Sequence, residues 1–160
     1  MTKKPVQFRL NGSPAAVFVD EGQNLLDLLR RGVGDLSPKY GCGQGTCGSC
    51  TVIIDGEPRL SCLTLAETVE GQQVETTNGL ADGPDLHALQ EAFMENFAAQ
   101  CGYCTPGMLM AAKALLDRTP RPSREEIVEA ISGNICRCTG YEPIIDAILA
   151  ASGQPTRRTG

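Results

Sequence analysis

Eight cysteines in two groups of four constrain this 160-residue chain more than any other feature of its sequence. One group lies between residues 42 and 62, and the other lies between residues 101 and 138. A chain of this length can form two small domains, and small domains with few aromatic residues often need a metal or a disulfide. Aromatic residues make up only 4% of the chain, and Trp is absent. We therefore expect the cysteines to stabilise two small domains.

The N-terminal residues and the charge balance indicate where such a chain works. Residues 1–10 contain neither an apolar signal-peptide segment nor a twin-arginine motif, and no apolar run approaches membrane-spanning length. We therefore expect a cytoplasmic protein without membrane contact, in which paired cysteines are more often metal ligands or redox groups than disulfides. The net charge of -5 and the shortness of basic clusters such as Lys3-Lys4 argue against nucleic-acid binding.

The first half of the sequence predicts a small mixed sheet with one helix. Runs of strand length and composition occupy residues 6–10, 16–19, 51–54, 59–62 and 73–76. Asn11-Gly12 indicates a hairpin between the first two strands, with a loop longer than two residues. A leucine-rich face over residues 25–29 predicts a helix that ends near Gly32. Residues 38–50 remain as a loop rich in Gly and Cys.

The second half of the sequence predicts helices only. Apolar spacing and helix-start signals predict helices over residues 85–98, 106–116, 123–131 and 143–151. Turn-rich residues 79–85 indicate a linker, and the aperiodic residues 152–160 are predicted to be a disordered tail. The sequence therefore predicts an α+β fold, with one domain over residues 1–78 and a four-helix domain over residues 79–160.

The first cysteine group has the spacing C-x4-C-x2-C with a fourth Cys 12 residues later, and its members are Cys42, Cys47, Cys50 and Cys62. This is the plant-type ferredoxin ligand pattern for a 2Fe-2S cluster. Four thiolates and two sulfides concentrate negative charge, which backbone N–H groups in tight turns can stabilise. Glycine occupies four of the eight positions in residues 41–48, which favours such turns.

Other metal sites fit the first group less well. A zinc site favours paired C-x2-C segments, which this spacing does not provide. A Rieske centre needs two His ligands, but the chain contains one His, His87, on a predicted helix where it is expected to be a surface residue. The run of cysteines typical of a bacterial 4Fe-4S site is also absent from the sequence.

The second cysteine group consists of two pairs that each precede a predicted helix, and its members are Cys101, Cys104, Cys136 and Cys138. Prolines at 106 and 143 stand in the first turns of these helices, where a missing N–H has no cost. Both helix N-termini therefore direct positive partial charge at the thiolates. The pairs can form one four-sulfur cage, and spacing alone leaves both a cluster and a zinc ion open. A reactive C-x2-C disulfide is a weaker third interpretation, because no βαβ unit surrounds it.

Three long motifs contain seven of the eight cysteines, and they are YGCGQGTCGSCT at 40–51, QCGYCTPG at 100–107 and GNICRCTGY at 133–141. In this order they resemble the iron–sulfur subunit of molybdenum hydroxylases of the xanthine oxidase family. The resemblance extends over nearly the whole chain. It implies a plant-ferredoxin-like β-grasp domain and a four-helix domain, each with one 2Fe-2S cluster, and so favours iron–sulfur over zinc in the second group.

The resemblance also implies partners and an order of electron transfer. A molybdenum-binding large subunit would hold molybdopterin next to the cluster of the helical domain, with Gln100 and Cys138 on the pterin side. A medium subunit would hold FAD and exchange electrons with the ferredoxin-like cluster. Because 160 residues leave no room for either cofactor domain, we expect a heterotrimer or a dimer of heterotrimers. No residue of this chain is expected to be catalytic, and the substrate pocket would lie on the large subunit.

Two other functions compete with that of an enzyme subunit. The chain could be a free two-cluster ferredoxin that carries electrons, or a zinc-stabilised interaction module. A subunit between two others should expose a large apolar patch, whereas a free carrier should be evenly charged. The run Met108–Met110 is a candidate for that patch and equally for the core.

Overall fold

A computed structural model describes residues 3–157, which form a five-stranded sheet followed by a set of helices. The strands are β1 (Lys3–Leu10), β2 (Ser13–Asp20), β3 (Thr51–Ile54), β4 (Glu57–Leu60) and β5 (Gln73–Glu75). Their order across the sheet is β2-β1-β5-β3-β4. The pair β1–β5 is parallel and the other neighbouring pairs are antiparallel. The predicted α+β class is therefore confirmed.

The helices lie mainly in the second half of the chain. They are α1 (Leu25–Asp27), which continues into a π-helical turn (Leu28–Gly32), α2 (Ala88–Glu95), α3 (Thr105–Arg118), α4 (Arg124–Ile131) and α5 (Glu142–Ala151). Short 3-10 turns occupy Ala66–Val69 and Thr77–Gly79. No helix in residues 3–157 is long and apolar enough to cross a membrane.

Two apolar cores support the two halves, and α3 connects them. The first core contains sheet residues such as Phe8 together with Leu25 and Leu28, and the second contains the inner faces of α2 to α5. Ile53 of β3 belongs to the second core, so the sheet and the helices share an apolar interface. The run Met108–Met110 on α3 is completely buried in that core rather than exposed. The contact between the halves is therefore extensive.

An ion pair also crosses this interface. Lys113 Nζ on α3 lies 3.3 Å from a carboxylate oxygen of Glu75 on β5 and 2.5 Å from one of Asp117. Burial opposes the charge on Lys113, but the two carboxylates outweigh it and raise the pKa of the ammonium group.

Two local details of the first half and the linker differ from the sequence prediction. Leu10 pairs with Ser13, so the β1–β2 turn contains only Asn11 and Gly12. The predicted longer loop is wrong because both turn residues adopt the left-handed φ values, 50° and 80°, that a two-residue turn requires. His87 is not an ordinary surface helix residue, since its Nδ1 accepts a hydrogen bond from a backbone N–H at the start of α2.

The predicted disordered tail differs from the structure over residues 152–157. Gln154 Nε2 donates a hydrogen bond to the backbone carbonyl of Pro122 at 2.9 Å, and Thr156 is buried. These contacts attach the segment to the residues before α4, which the absence of periodicity did not indicate. The rest of the predicted tail, residues 158–160, lies outside the described residues.

Candidate iron–sulfur sites

The β3–β4 hairpin and the loop before it bring the first cysteine group together. Cys50 directly precedes β3 and Cys62 follows β4, and the pairing of these antiparallel strands places both cysteines at one end of the hairpin. Cys42 and Cys47 lie on the preceding loop. Cys50 and Cys62 are buried, whereas Cys42 and Cys47 are half-buried, so one side of this group faces solvent.

Hydrogen-bond donors of the loop surround the sulfur of Cys42. The Thr46 hydroxyl and the backbone N–H groups of Gln44 and Thr46 lower the pKa of the Cys42 thiol to about 5. The two N–H groups donate to Sγ at 3.5 Å and 3.3 Å. The thiolate is the form of cysteine that binds metals, so the loop favours the ligand form of Cys42.

Glycines allow the loop to close tightly around these sulfurs. A Cβ atom on Gly41 would lie 2.5 Å from Cys47 Sγ, and a Cβ atom on Gly45 would collide with Leu63. Gly45 also has a φ of 82°, which side-chain-bearing residues rarely adopt. The glycine-rich composition noted in the sequence therefore has a direct steric cause at these two positions.

The second cysteine group lies where three helix ends meet. Cys104 directly precedes α3, and Cys136 and Cys138 lie on the loop between α4 and α5. The backbone N–H of Cys136 donates to the Tyr141 hydroxyl at 3.0 Å, which connects the loop to the start of α5. Cys136 is buried and Cys104 is half-buried, whereas Cys101 and Cys138 are exposed.

The thiols of each group hydrogen-bond in pairs. The four pairs are Cys42 with Cys47, Cys50 with Cys62, Cys101 with Cys138, and Cys104 with Cys136. In the second group each pair joins one cysteine before α3 to one cysteine before α5, so the pairs do not follow the sequence spacing. The structure therefore brings together both of the groups that the sequence predicted.

Burial and the paired thiols also determine the protonation of the inner sulfurs. Burial and the neighbouring Cys50 raise the pKa of the Cys62 thiol to about 11. Burial and the neighbouring Cys136 raise the pKa of the Cys104 thiol to about 12. Burial opposes ionisation of Cys136 as well, but hydrogen bonds from Thr139 outweigh it and lower the pKa of that thiol. Metal binding at these pairs would therefore release protons.

The arrangement in pairs fits a binuclear cluster. Among residues 3–157, no three Cys, His, Asp or Glu side chains lie close enough together to surround one metal ion. A 2Fe-2S cluster needs four thiolates in total, shared between its two irons, so two adjacent thiol pairs satisfy it. Each group of cysteines offers such an arrangement.

The loops that carry the two groups are in direct contact. The backbone N–H of Ile135 donates to the carbonyl of Cys47 at 2.9 Å. Gly48 has a φ of 71°, and a Cβ atom there would lie 2.5 Å from the carbonyl oxygen of Gly133. The approach of the two loops therefore requires glycine at position 48.

Replacement of Gly48 tests this close approach. Gly48→Ala should destabilise the cluster-loaded protein through left-handed strain of about 1–2 kcal/mol and through overpacking of about 1–3 kcal/mol. Gly56→Ala is the matched control, because Gly56 has a φ of 84° but nothing within 4 Å of an added Cβ. The thermal midpoint of Gly48→Ala should fall clearly below that of Gly56→Ala, and equal midpoints would contradict the contact.

Two residues of the site differ in how they stand against the sequence prediction. Gln100, predicted to face a pterin, is exposed beside Cys101, and its role stays a prediction. Asn134 was not singled out, although it is buried between the two loops. Its position inside the motif GNICRCTGY was visible, but no local pattern distinguishes a bridging asparagine from a turn residue.

Comparisons with known proteins agree with this geometry. A family model described as a 2Fe-2S iron-sulfur cluster binding domain matches residues 8–81, and one described as a [2Fe-2S] binding domain matches residues 76–149. The chain is 45% identical to the nicotine 6-hydroxylase small subunit of Paenarthrobacter nicotinovorans, over 97% of this chain and 93% of that protein. It is 46% identical to the nicotinate dehydrogenase small FeS subunit of Eubacterium barkeri, over 94% and 96%.

A solved structure extends the likeness to three dimensions. A chain of quinoline 2-oxidoreductase from Pseudomonas putida 86 superimposes with a TM-score of 0.93 at 48% sequence identity, covering 96% of both chains. Two 2Fe-2S binding domains and relatives of the same length thus agree with the two thiol groups. The chain belongs to the iron–sulfur subunits of the xanthine oxidase family of molybdenum hydroxylases, as an electron-transfer subunit of an oxidoreductase.

Proposed function

We propose that this chain relays electrons between a molybdopterin site on a large partner subunit and FAD on a medium partner subunit. One 2Fe-2S cluster is held by Cys42, Cys47, Cys50 and Cys62 in a ferredoxin-like β-grasp domain over residues 1–78. The other is held by Cys101, Cys104, Cys136 and Cys138 in a four-helix domain over residues 79–160. The complex is a cytoplasmic heterotrimer or a dimer of heterotrimers. The carrying observation is the direct hydrogen bond between the two cysteine loops, from Ile135 to Cys47.

The exposure of the second group supports an outer and an inner side of its cluster. Cys101 and Cys138 are exposed, and Gln100 beside them is exposed as well. Cys104 and Cys136 lie further inside, towards the loop of the first group. The outer side is thus where a pterin on the large subunit can approach, and the inner side is where electrons can pass to the first cluster.

The surface around the first group supports a second outlet. Cys42 and Cys47 are half-buried on a loop whose neighbour Gln44 is exposed. Leu63, which follows Cys62, is 61% exposed although it is a large apolar residue. An exposed leucine beside a cluster is typical of a surface that another protein covers, and we assign it to the flavin subunit.

An apolar groove supports the subunit over the free carrier. Leu86, Met94 and Phe97 are all exposed by more than 40% and line a groove of about 430 Å³. The buried hydroxyl of Thr105 at this groove has no hydrogen-bond partner among the described residues. Because the groove ends at residues on either side of Cys101, we assign it to the large subunit, which would approach the same exposed cluster side.

Isolation of the assembled complex tests the proposed function. The chain should co-purify with one molybdenum-containing and one FAD-containing subunit, and it should contain about four irons and four acid-labile sulfides. Iron and sulfide analysis, together with size-exclusion chromatography, measures both results. Purification as a fully active carrier without partners would support the free ferredoxin instead, and stoichiometric zinc without visible absorption would overturn the cluster assignment.

The names of the relatives suggest where the search for a substrate should begin. Nicotine, nicotinate and quinoline appear in the names of the three relatives described above. All three compounds are N-heterocycles, so we propose N-heterocycles as the first class to be tested on the assembled complex. Bleaching of the visible cluster absorption after addition of each compound would identify one that donates electrons.

A further inference from the structure

One buried amide group lies between the two cysteine loops. Asn134, two residues before Cys136, is only 6% exposed. Its Nδ2 donates to the carbonyl of Gly48 at 2.9 Å and lies 3.3 Å from the hydroxyl of Thr51. Gly48 directly follows Cys47, so this side chain joins the loop of one cysteine group to the loop of the other.

The packing around this amide leaves little room for the loops to separate or shift. A Cβ atom on Gly107, three residues after Cys104, would collide with the same Gly48 carbonyl and would lie 3.1 Å from Asn134 Nδ2. The first turn of α3 therefore presses against the contact from a third direction. Segments next to Cys47, Cys104 and Cys136 all meet at Asn134.

The adjacent backbone supplies the shortest bonded connection between the groups that the structure shows. Ile135, the residue after Asn134, donates its N–H to the Cys47 carbonyl at 2.9 Å, and Ile135 is covalently bonded to Cys136. One hydrogen bond thus separates a residue of the first group from the neighbour of a residue of the second. Because the Asn134 side chain anchors the same loop to Gly48, it controls the geometry of this connection.

We propose that Asn134 is a positioning residue for electron transfer between the two clusters, which holds the Ile135-to-Cys47 hydrogen bond in place. This inference rests on the proposed function in so far as both groups hold 2Fe-2S clusters. In the transfer, one electron oxidises one cluster and reduces the other, and no covalent bond is made or broken. Its rate then depends on the separation of the clusters and on the bonds that connect them.

A second buried asparagine provides a matched control. Asn96 is 8% exposed, and its Nδ2 donates to the Ala92 carbonyl at 2.9 Å at the end of α2. Asn96→Ala therefore removes the same side chain at similar burial and the same kind of hydrogen bond, but within one helix end. Thr51→Val offers a milder change at the contact itself, because it removes the hydroxyl near Asn134 and keeps a branched side chain.

The experiment measures electron redistribution in the purified chain. One electron per chain is injected by flash photoreduction, and EPR spectra of samples frozen at successive times follow the two cluster signals. The magnetic interaction between the clusters after full reduction with dithionite provides a second measurement that needs no partner subunit. Asn134→Ala should slow redistribution roughly ten- to hundredfold and change the magnetic interaction, whereas Asn96→Ala should leave both unchanged.

Each outcome bears on the proposal. Redistribution at the wild-type rate in Asn134→Ala with both clusters present would overturn it, and so would equal slowing in Asn96→Ala. If Asn134→Ala loses iron, Thr51→Val decides, because slower redistribution with full iron content supports the proposal and an unchanged rate overturns it. If both EPR signals are present but no molybdenum subunit binds, the relay function fails while the role of Asn134 is still measured.

Discussion

Cys104→Ala is expected to remove the EPR signal of one cluster and to leave the other signal intact. The Cys104 thiol pairs with Cys136 beside the core of the helical half, at a distance along the chain from the β3–β4 hairpin. Its loss leaves one iron with a single thiolate, so we expect the second cluster to be absent from a folded protein. Cys47→Ala should have the converse effect, because Cys47 pairs with Cys42 on the first loop.

The thiol pairing provides the control for this prediction. Cys136→Ala removes the partner of Cys104 and should abolish the same signal as Cys104→Ala, although the two cysteines are 32 residues apart in the sequence. Alanine is preferred to serine, since a serine alkoxide can replace a thiolate as ligand. If any one of these variants lost both signals while its far-UV spectrum stayed native, the assignment of two separate sites would be wrong.

Features that depend on neighbouring residues could be predicted from the sequence. The capping box at the start of α4 is an example, because Ser123 Oγ accepts from the Glu126 N–H at 3.2 Å while the Glu126 carboxylate accepts from the Ser123 N–H at 2.6 Å. Both bonds join residues three apart, so their spacing in the sequence is sufficient. The membership of each cysteine group was predictable for the same reason, since the ligand spacing is a local property.

Features that depend on packing between distant segments could not be predicted in this way. The sequence pairs Cys101 with Cys104, but in the structure the Cys101 thiol pairs with Cys138, because α3 and α5 begin side by side. The contact of Asn134 with Gly48 joins residues 86 positions apart. Asp35 likewise needs the fold to explain it, as its buried carboxylate accepts a hydrogen bond from the hydroxyl of Thr76 in the following segment.

Electrons should pass through the second cluster before they reach the first. The exposed position of Cys101 and Cys138 places that cluster at a surface where a pterin can approach, while Cys104 and Cys136 face the interior. The loop of Cys136 is hydrogen-bonded to Cys47, so the route from the interior side leads to the first group. The half-buried thiols of Cys42 and Cys47 then face outward again, which suits exchange with a flavin on another subunit.

This order predicts opposite phenotypes for two variants of the complex. In Cys47→Ala, an N-heterocycle that reduces the wild-type complex should still reduce the second cluster at the normal rate, but FAD should stay oxidised. In Cys104→Ala the path is interrupted at its first step, so the first cluster and FAD should both be reduced at least roughly a hundredfold more slowly. Rapid-freeze EPR at successive times after mixing measures the clusters, and the absorption of FAD measures delivery. Reduction of the first cluster at the wild-type rate in Cys104→Ala would show that electrons enter the chain elsewhere, since no second cluster would then lie on their route.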